Sequence, residues 1–236
     1  MDETFAIANS LWKRLLGVKV VYFLTLCAIS LIAITNMYDI LMIGESRALM
    51  VDTGMMLMTV AAMLTVLSLA FDIPKELQSG IASVLLAKPL GRTHYLLGKL
   101  VGISWVGIFI TSLIAVGFVA IYSISHGAPP KELVKALFLI VISVIPMASV
   151  VLFFSSFLNE AVAATISTVL IWAGFAFAGL QGYTFYDLSI FNMGAEAYYA
   201  YDIPASYLLK AVISALLTAI TMVSITSFIF NKRDLQ

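Results

Sequence analysis

Six long apolar runs, none of which contains a charged side chain, constrain this chain more than any other feature. They are residues 20–37, 54–71, 100–123, 136–157, 161–180 and 211–230. A helix of about 20 residues crosses the hydrocarbon core of a bilayer. Within lipid every backbone polar group must bond inside its own segment, so the runs should be helical. The sequence therefore predicts an all-α, polytopic membrane protein with six transmembrane helices.

The composition leaves little room for a soluble domain. Of the 236 residues, 62% are hydrophobic and 11% are charged, whereas soluble domains carry roughly 25% charged residues. We therefore expect one transmembrane domain over residues 1–236, with membrane lipid around it. The formal net charge of zero gives no bulk attraction to nucleic acid, and no nucleic-acid partner is expected.

The segment before the first run, residues 2–16, has the pattern of an amphipathic helix. Its apolar side chains share one helical face, with Lys13 and Arg14 elsewhere. They are Phe5, Ala8, Trp12, Leu15 and Leu16. A tryptophan and two cations suit a helix lying in the membrane interface. A plain cytosolic tail is the alternative.

The distribution of lysine and arginine predicts the orientation. With six spans, nine of these residues fall in one set of loops and four in the other. The larger set is Lys13, Arg14, Lys19, Lys75, Lys88, Arg92, Lys99, Lys232 and Arg233; the smaller set is Arg47, Lys131, Lys135 and Lys210. By the positive-inside rule both termini and the 72–99 loop are cytoplasmic. The 181–206 loop, which has tyrosines but no lysine or arginine, is then an external segment resting on the interface.

Two local features predict details of packing. Pro146 lies inside the fourth run and should kink that helix, because proline removes a backbone hydrogen bond. Gly98 and Gly102 have the small-xxx-small spacing that allows two helices to approach closely.

The residues that commonly carry chemistry are scarce. No ionisable side chain lies well inside the six runs, although ion-coupled carriers usually have one there. The two histidines, His94 and His126, fall on opposite predicted sides and cannot share a metal. There is no phosphate-binding loop and no hydrolase motif. We therefore expect a non-enzymatic subunit without a cofactor of its own, driven by another protein.

The longest predicted cytoplasmic loop contains a second amphipathic helix, over residues 74–87. Pro74 suits its first turn, and the helix should stop before Pro89. Its apolar face is formed by Leu77, Ile81, Val84 and Leu85. Taken alone, this pattern also fits an interfacial helix that only stabilises topology.

The same loop resembles the loop between the second and third spans of ABC-2 type permeases, the membrane subunits of ATP-binding-cassette exporters. The matching residues are Glu76, Gly80, Leu85, Leu86, Lys88, Pro89, Arg92, Leu97, Gly98 and Lys99. The end of the chain, residues 230–235, is also similar to that family's ending. One departure is Ile81, where the family often has threonine. The resemblance in layout covers the whole chain, but its specific motif is short.

The resemblance implies a complex of two permeases and two ATPases in the cytoplasmic membrane of a prokaryote. The second permease would be a homodimer partner or a similar chain, and ATP and Mg would bind the ATPase. The 74–87 helix would be the coupling helix, which docks into the ATPase. Lys75 and Glu76 would offer polar contacts, Leu77, Ile81, Val84 and Leu85 the apolar face, and Gly80 close backbone approach.

The remaining motif residues are Lys88, Pro89, Arg92, Gly98 and Lys99. The alternative is that Lys88 and Arg92 serve only the positive-inside orientation.

The function predicted from this resemblance is ATP-driven movement of a substrate, outward, across the membrane. Apolar span faces favour a lipid, a hydrophobic peptide or a drug over a small ion. Two alternatives stay open. One is an ATP-driven mechanical transmitter or anchor for an extracytoplasmic partner, and the other is an ion-coupled secondary carrier.

Overall fold

The computed structural model describes residues 2–16, 19–37, 46–70, 72–78, 92–178 and 203–231, which form α-helices and no strand. The all-α class predicted from the sequence is therefore confirmed. In chain order the helices are α1 (Asp2–Leu16), α2 (Lys19–Met37), α3 (Ser46–Ala70), α4 (Asp72–Gln78), α5 (Arg92–His126), α6 (Lys131–Ser155), α7 (Glu160–Ala178) and α8 (Ala205–Asn231).

Within these residues, four helices are long and apolar enough to cross a membrane: α3, α5, α6 and α8. Their length and composition indicate a membrane-embedded protein. α2 and α7 contribute shorter apolar stretches, Tyr22–Thr35 and Glu160–Gly174. Each of the six predicted runs coincides with one of these six helices, but the count of six spans stays a prediction.

Several helices begin well before their apolar runs. α3 begins at Ser46, although its predicted span begins at 54, and α5 begins at Arg92 rather than 100. These early turns carry polar residues such as Asp52 and Lys99. A helix continues wherever its backbone bonds are made, and only the part inside hydrocarbon must be apolar.

The centre of the bundle is formed by α3, α5 and α6, which all contact one another. Gly107 of α5 lies against Val144 of α6 and Val66 of α3, and a Cβ there would come within 2.7 Å of the Val144 side chain. α2 packs on α3 and α5, α7 on α6, and α8 on both α5 and α6. Pro146 is buried within continuous α6, and its predicted kink stays a prediction.

α3 and α8 run antiparallel to α5. Gly54 of α3 faces the Phe118 ring, whereas Val66 faces Gly107, so the residue numbers of the two helices run in opposite directions. The hydroxyls of Thr93 at the start of α5 and Ser227 near the end of α8 lie 2.9 Å apart. α4, the start of α5 and the end of α8 therefore lie at one end of the bundle, which we call the α4 end.

A polar clamp closes the opposite end. Lys135 of α6 donates to the Ile203 carbonyl at 2.7 Å and to Glu132 Oε1 at 3.0 Å. The Ile203 amide donates to Glu132 Oε2 at 2.9 Å. Both backbone groups of Ile203 are thus bonded to α6, which fixes the residues leading into α8.

α1 packs lengthwise on α5. Its residues Ile7 and Leu11 meet Gly98 and Gly102 in that order, so the two helices run parallel. A Cβ at Gly98 would lie 2.9 Å from Ile7 Cβ, and one at Gly102 would lie 2.7 Å from Leu11 Cδ1. The spacing of the two glycines therefore marks the contact surface for the N-terminal helix.

An aromatic cluster continues the same contact. The centre of the Trp12 ring lies 5.9 Å from the centre of the Trp105 ring and 5.1 Å from that of Phe109. The ring centres of Phe5 and Trp105 lie 6.2 Å apart. The helix predicted over 2–16 thus has the predicted bounds, and Trp12 and Phe5 of the face that predicted an interfacial position lie against α5. Its placement against lipid stays a prediction.

Candidate functional site

The short helix α4 follows α3 at the end of the bundle and is held by its first turn. Ile73 and Pro74 are buried, and Ile73 belongs to the main apolar core. Proline is tolerated in a first turn because the amide it lacks would have no helical partner there. α4 contacts both α3 and α6, so its position is set by two long helices.

Glu76 is the polar link between α4 and α5. Its Oε2 accepts a hydrogen bond from the Tyr95 hydroxyl at 2.8 Å, and its Oε1 accepts one from Lys99 Nζ at 2.7 Å. The Lys99 amine also lies 5.6 Å from the centre of the Tyr95 ring. We call Glu76, Tyr95 and Lys99 the α4–α5 triad.

The triad is largely shielded from solvent. The side chains of Lys99 and Glu76 are 5% and 12% exposed, and Tyr95 is buried. Removing one partner from such a pair leaves an uncompensated charge, which typically costs about 3–5 kcal/mol. The triad should therefore keep α4 attached to α5 while other contacts change.

A second, weaker link joins α4 to α7. Lys75 Nζ lies 3.2 Å from Glu160 Oε1, and the two side chains are 61% and 42% exposed. An exposed pair of this kind is worth about 0–1 kcal/mol. Glu160 is held at the start of α7 because Asn159 Oδ1 accepts the Val162 amide at 3.0 Å and caps that helix. α4 thus connects a buried pair on α5 with an exposed pair on α7.

The structure places some of the predicted site residues and not others. The carboxylate of Glu76, which the sequence assigned to a docking contact, lies within the α4–α5 triad, and Lys75 is exposed. Lys99 belongs to the triad and Gly98 to the α1 contact. Arg92 begins α5 and Leu77 lies within α4. The remaining predicted residues lie outside the described residues: Gly80, Ile81, Val84, Leu85, Lys88 and Pro89.

The described part of the predicted 74–87 coupling helix is α4, and residues 79–91 fall outside the description. Most of the predicted external loop 181–206 does so as well; α8 begins at Ala205.

Two residues of this site were not predicted from the sequence. Tyr95 lies four positions before Lys99, so both face the same side of α5, and this spacing was a usable signal. Glu160 is the one acidic residue between the fourth and fifth apolar runs. Its partner on α4 follows only from the tertiary packing, which brings Lys75 within 3.2 Å of Glu160.

Across the described residues, no group of three or more His, Cys, Asp or Glu side chains could hold a metal ion. No protein-family model matches this chain, and no curated protein matches it.

Proposed function

We propose that this chain is the permease subunit of an ATP-driven exporter of the ABC-2 type. The observation that carries the proposal is the attachment of α4 to α5 through Glu76. A short helix between two long apolar helices, held by a buried ion pair, can transmit a push into the bundle. The matching residues of the following loop, which include Gly80 and Lys88, support the same assignment.

In this proposal the chain itself hydrolyses nothing. A partner ATPase, which binds ATP and Mg, contacts α4 and the residues that follow it. The exposed Lys75 belongs to the contact face, and Glu76 transmits the displacement to α5. The exposed Lys75–Glu160 pair costs little to break, so α4 and α5 move together while α7 shifts relative to them.

The proposed topology has six spans, with α2 and α7 as the two beyond the four long helices. Each has 19 residues, which gives a length of about 28 Å. The α4 end faces the cytoplasm of a prokaryote, and so do both termini. The cation count of the loops supports this orientation. Reporters fused at Ser83 and at His126 should read as cytoplasmic and external, respectively.

Two copies of the chain, or this chain and a similar one, would assemble with two ATPases. The substrate would cross outward where the permeases meet, and an apolar molecule such as a lipid, hydrophobic peptide or drug suits the span surfaces.

Site-specific cross-linking tests the proposal. Cys27→Ser removes the native cysteine, and Lys75→Cys then places one thiol on α4. In membranes from the native cells, a short thiol-to-amine reagent should join this position to an ATP-binding polypeptide. Lys131→Cys, an exposed position at the opposite end, is the matched control and should not give this product.

The absence of an ATP-binding polypeptide from the Lys75→Cys product would contradict the permease assignment. Transport by the purified chain alone would support an ion-coupled carrier instead. If the ATPase is captured but no candidate substrate stimulates its ATP turnover in proteoliposomes, the result favours a mechanical transmitter over an exporter.

A further inference from the structure

α8 has two different faces. Its small residues Ala211, Ala215 and Ala219 are buried, and α8 packs mainly on α6. The other face is turned outward and carries large exposed residues such as Leu209 and Ile220. In a membrane-embedded protein this outward face meets lipid.

The outward face contains a shallow, largely open groove between its side chains. Among the described residues it is lined by one helix only. The lining residues are Lys210, Ile213, Ser214, Leu217, Thr218 and Thr221. A lysine on a lipid-facing surface is uncommon and costly in free energy unless an anion or water accompanies it.

The depth of Lys210 follows from the clamp at the end opposite α4. Ile203 is fixed there by its bonds to Glu132 and Lys135. α8 begins two residues later at Ala205, and Lys210 lies five residues into it, which corresponds to about 8 Å along the helix. Side chains of a helix point back toward its N-terminus, so the long lysine side chain extends toward the membrane surface at that end.

The charge of Lys210 has no partner among the described carboxylates. Glu132 is taken by Lys135 and the Ile203 amide, and Asp52 of α3 makes an interaction of its own that does not involve Lys210. Glu76 and Glu160 lie at the α4 end, bonded to Lys99 and Lys75. The Lys210 ammonium is therefore available to an anion that comes from outside the described chain.

The hydroxyls of the groove differ in what they can donate. Thr218 donates to the Ser214 carbonyl at 2.8 Å, and Thr221 donates to the Leu217 carbonyl at 2.9 Å. Their hydrogens are used within the helix, and their methyl groups add to the apolar lining. Ser214 makes no hydrogen bond through its hydroxyl within the described chain, and it lies one turn from Lys210 on the same face. The free donors thus lie at one end of the groove and the apolar lining at the other.

We propose that this groove is a binding site for an anionic membrane lipid. The phosphate of the headgroup accepts hydrogen bonds from the Lys210 ammonium and the Ser214 hydroxyl. One acyl chain lies along Ile213, Leu217 and the threonine methyl groups toward the middle of the bilayer. The lipid belongs to the leaflet at the end opposite α4. The site does not depend on the proposed permease function, because it needs only the membrane-embedded bundle.

Native mass spectrometry of the whole chain in detergent, titrated with phosphatidylglycerol, tests the site. Lys210→Gln should weaken phosphatidylglycerol binding about tenfold or more, since a charge-assisted hydrogen bond is lost. Lys210→Arg should retain binding. Ser214→Leu keeps the charge but fills the groove, and it should also weaken binding. Lys131→Gln removes another exposed cation at the same end and should leave binding unchanged.

Phosphatidylcholine, which lacks net charge, should bind the native chain more weakly than phosphatidylglycerol. Millimolar inorganic phosphate should not displace the lipid, because it lacks the acyl chain. The proposal is overturned if Lys210→Gln binds phosphatidylglycerol like the native chain. It is also overturned if Lys131→Gln loses as much binding, or if Ser214→Leu has no effect, because the attraction would then be charge without a groove. Size-exclusion chromatography confirms that each variant is folded.

Discussion

Glu76 on α4 and Lys99 on α5 form an ion pair of 2.7 Å in which neither side chain is freely exposed to water. Tyr95 donates to the second carboxylate oxygen at 2.8 Å. Both oxygens of Glu76 are therefore satisfied, which is the condition under which a buried pair is tolerated. Lys75, the preceding residue, forms a much more exposed pair with Glu160. Adjacent residues on one short helix thus make contacts of very different strength.

The first prediction concerns the energy of the buried pair. Glu76→Ala leaves the Lys99 ammonium shielded and unpaired, so it should lower the free energy of unfolding by about 3–5 kcal/mol. The double variant Glu76→Leu, Lys99→Met should recover part of this loss, because no charge stays buried and only the Tyr95 hydroxyl loses its acceptor. Chemical denaturation in mixed detergent micelles measures both. Lys75→Ala, which breaks the exposed pair, should change stability by about 0–1 kcal/mol. Equal losses for the single and double variants would show that Lys99 is not effectively buried.

The second prediction tests the contact between α1 and α5. Gly98→Ala places a methyl group 2.9 Å from Ile7 Cβ and close to the Thr4 carbonyl at 3.1 Å. Because Cβ and backbone atoms cannot move independently, α1 should shift away from α5. The Trp12–Trp105 contact should loosen, and tryptophan fluorescence should report the change. Gly102→Ala serves as the comparison. Its added methyl group would meet the end of the flexible Leu11 side chain, which can move aside, so its effect should be smaller. Identical spectra for Gly98→Ala and the native chain would contradict the α1–α5 contact.

The third prediction concerns the clamp at the end opposite α4. Glu132 accepts the Ile203 amide at 2.9 Å, which should slow exchange of that amide with solvent. Glu132→Ala should therefore speed exchange at Ile203 several-fold in hydrogen–deuterium exchange. Exchange in the middle of α8 should stay unchanged. Lys131→Ala, on the preceding residue, provides the control, because Lys131 makes no bond to Ile203. Unchanged exchange at Ile203 in the Glu132 variant would mean that the clamp does not hold in solution.

The fourth prediction tests the part of the coupling helix that lies outside the described residues. Ile81→Asp puts a charge on the apolar face predicted from the sequence, and Gly80→Leu adds bulk where close approach is expected. Burying an unpaired charge at a protein contact costs several kcal/mol, which weakens association about a hundredfold or more. Both variants should reach the membrane at normal levels and lose ATPase co-purification. A helix that only rests on lipid predicts that Gly80→Leu is harmless. Full ATPase binding by both variants would remove the main support for the permease assignment.

The helices were the part of the fold most open to prediction from the sequence, because each apolar run is long and free of charge. The residues at which the helices begin were harder to predict from the sequence. α3 begins at Ser46 and includes the exposed Asp52, since a water-facing turn does not have to be apolar. The apolar stretches of α2 and α7 are shorter than those of the four helices that are long enough to cross a membrane, so the number of spans did not follow from length.

The site was only partly predictable, for a different reason. The amphipathic pattern of residues 2–16 correctly predicted a helix, but the same apolar face suits lipid and another helix equally well. Glu76 stood out as a residue of the matching loop motif, and the sequence assigned it to a polar docking contact. Whether a carboxylate faces outward or inward depends on what lies across from it. Tyr95 and Lys99 come close to Glu76 only because α3 packs antiparallel to α5, which places α4, after the end of α3, beside the start of α5.

The parallel packing of α1 on α5 has a consequence for how the chain is made. Ile7 leaves the ribosome first, and its seat at Gly98 is synthesised about 90 residues later. At roughly 5–20 residues per second, this interval lasts about 5–20 s. During that time the side chains of α1 that later face α5 lack this partner, and they must be covered by something else, such as a membrane surface, a chaperone or the neighbouring α2. An amphipathic sequence suited to lipid serves this interval, and the same side chains pack on α5 once it has been made.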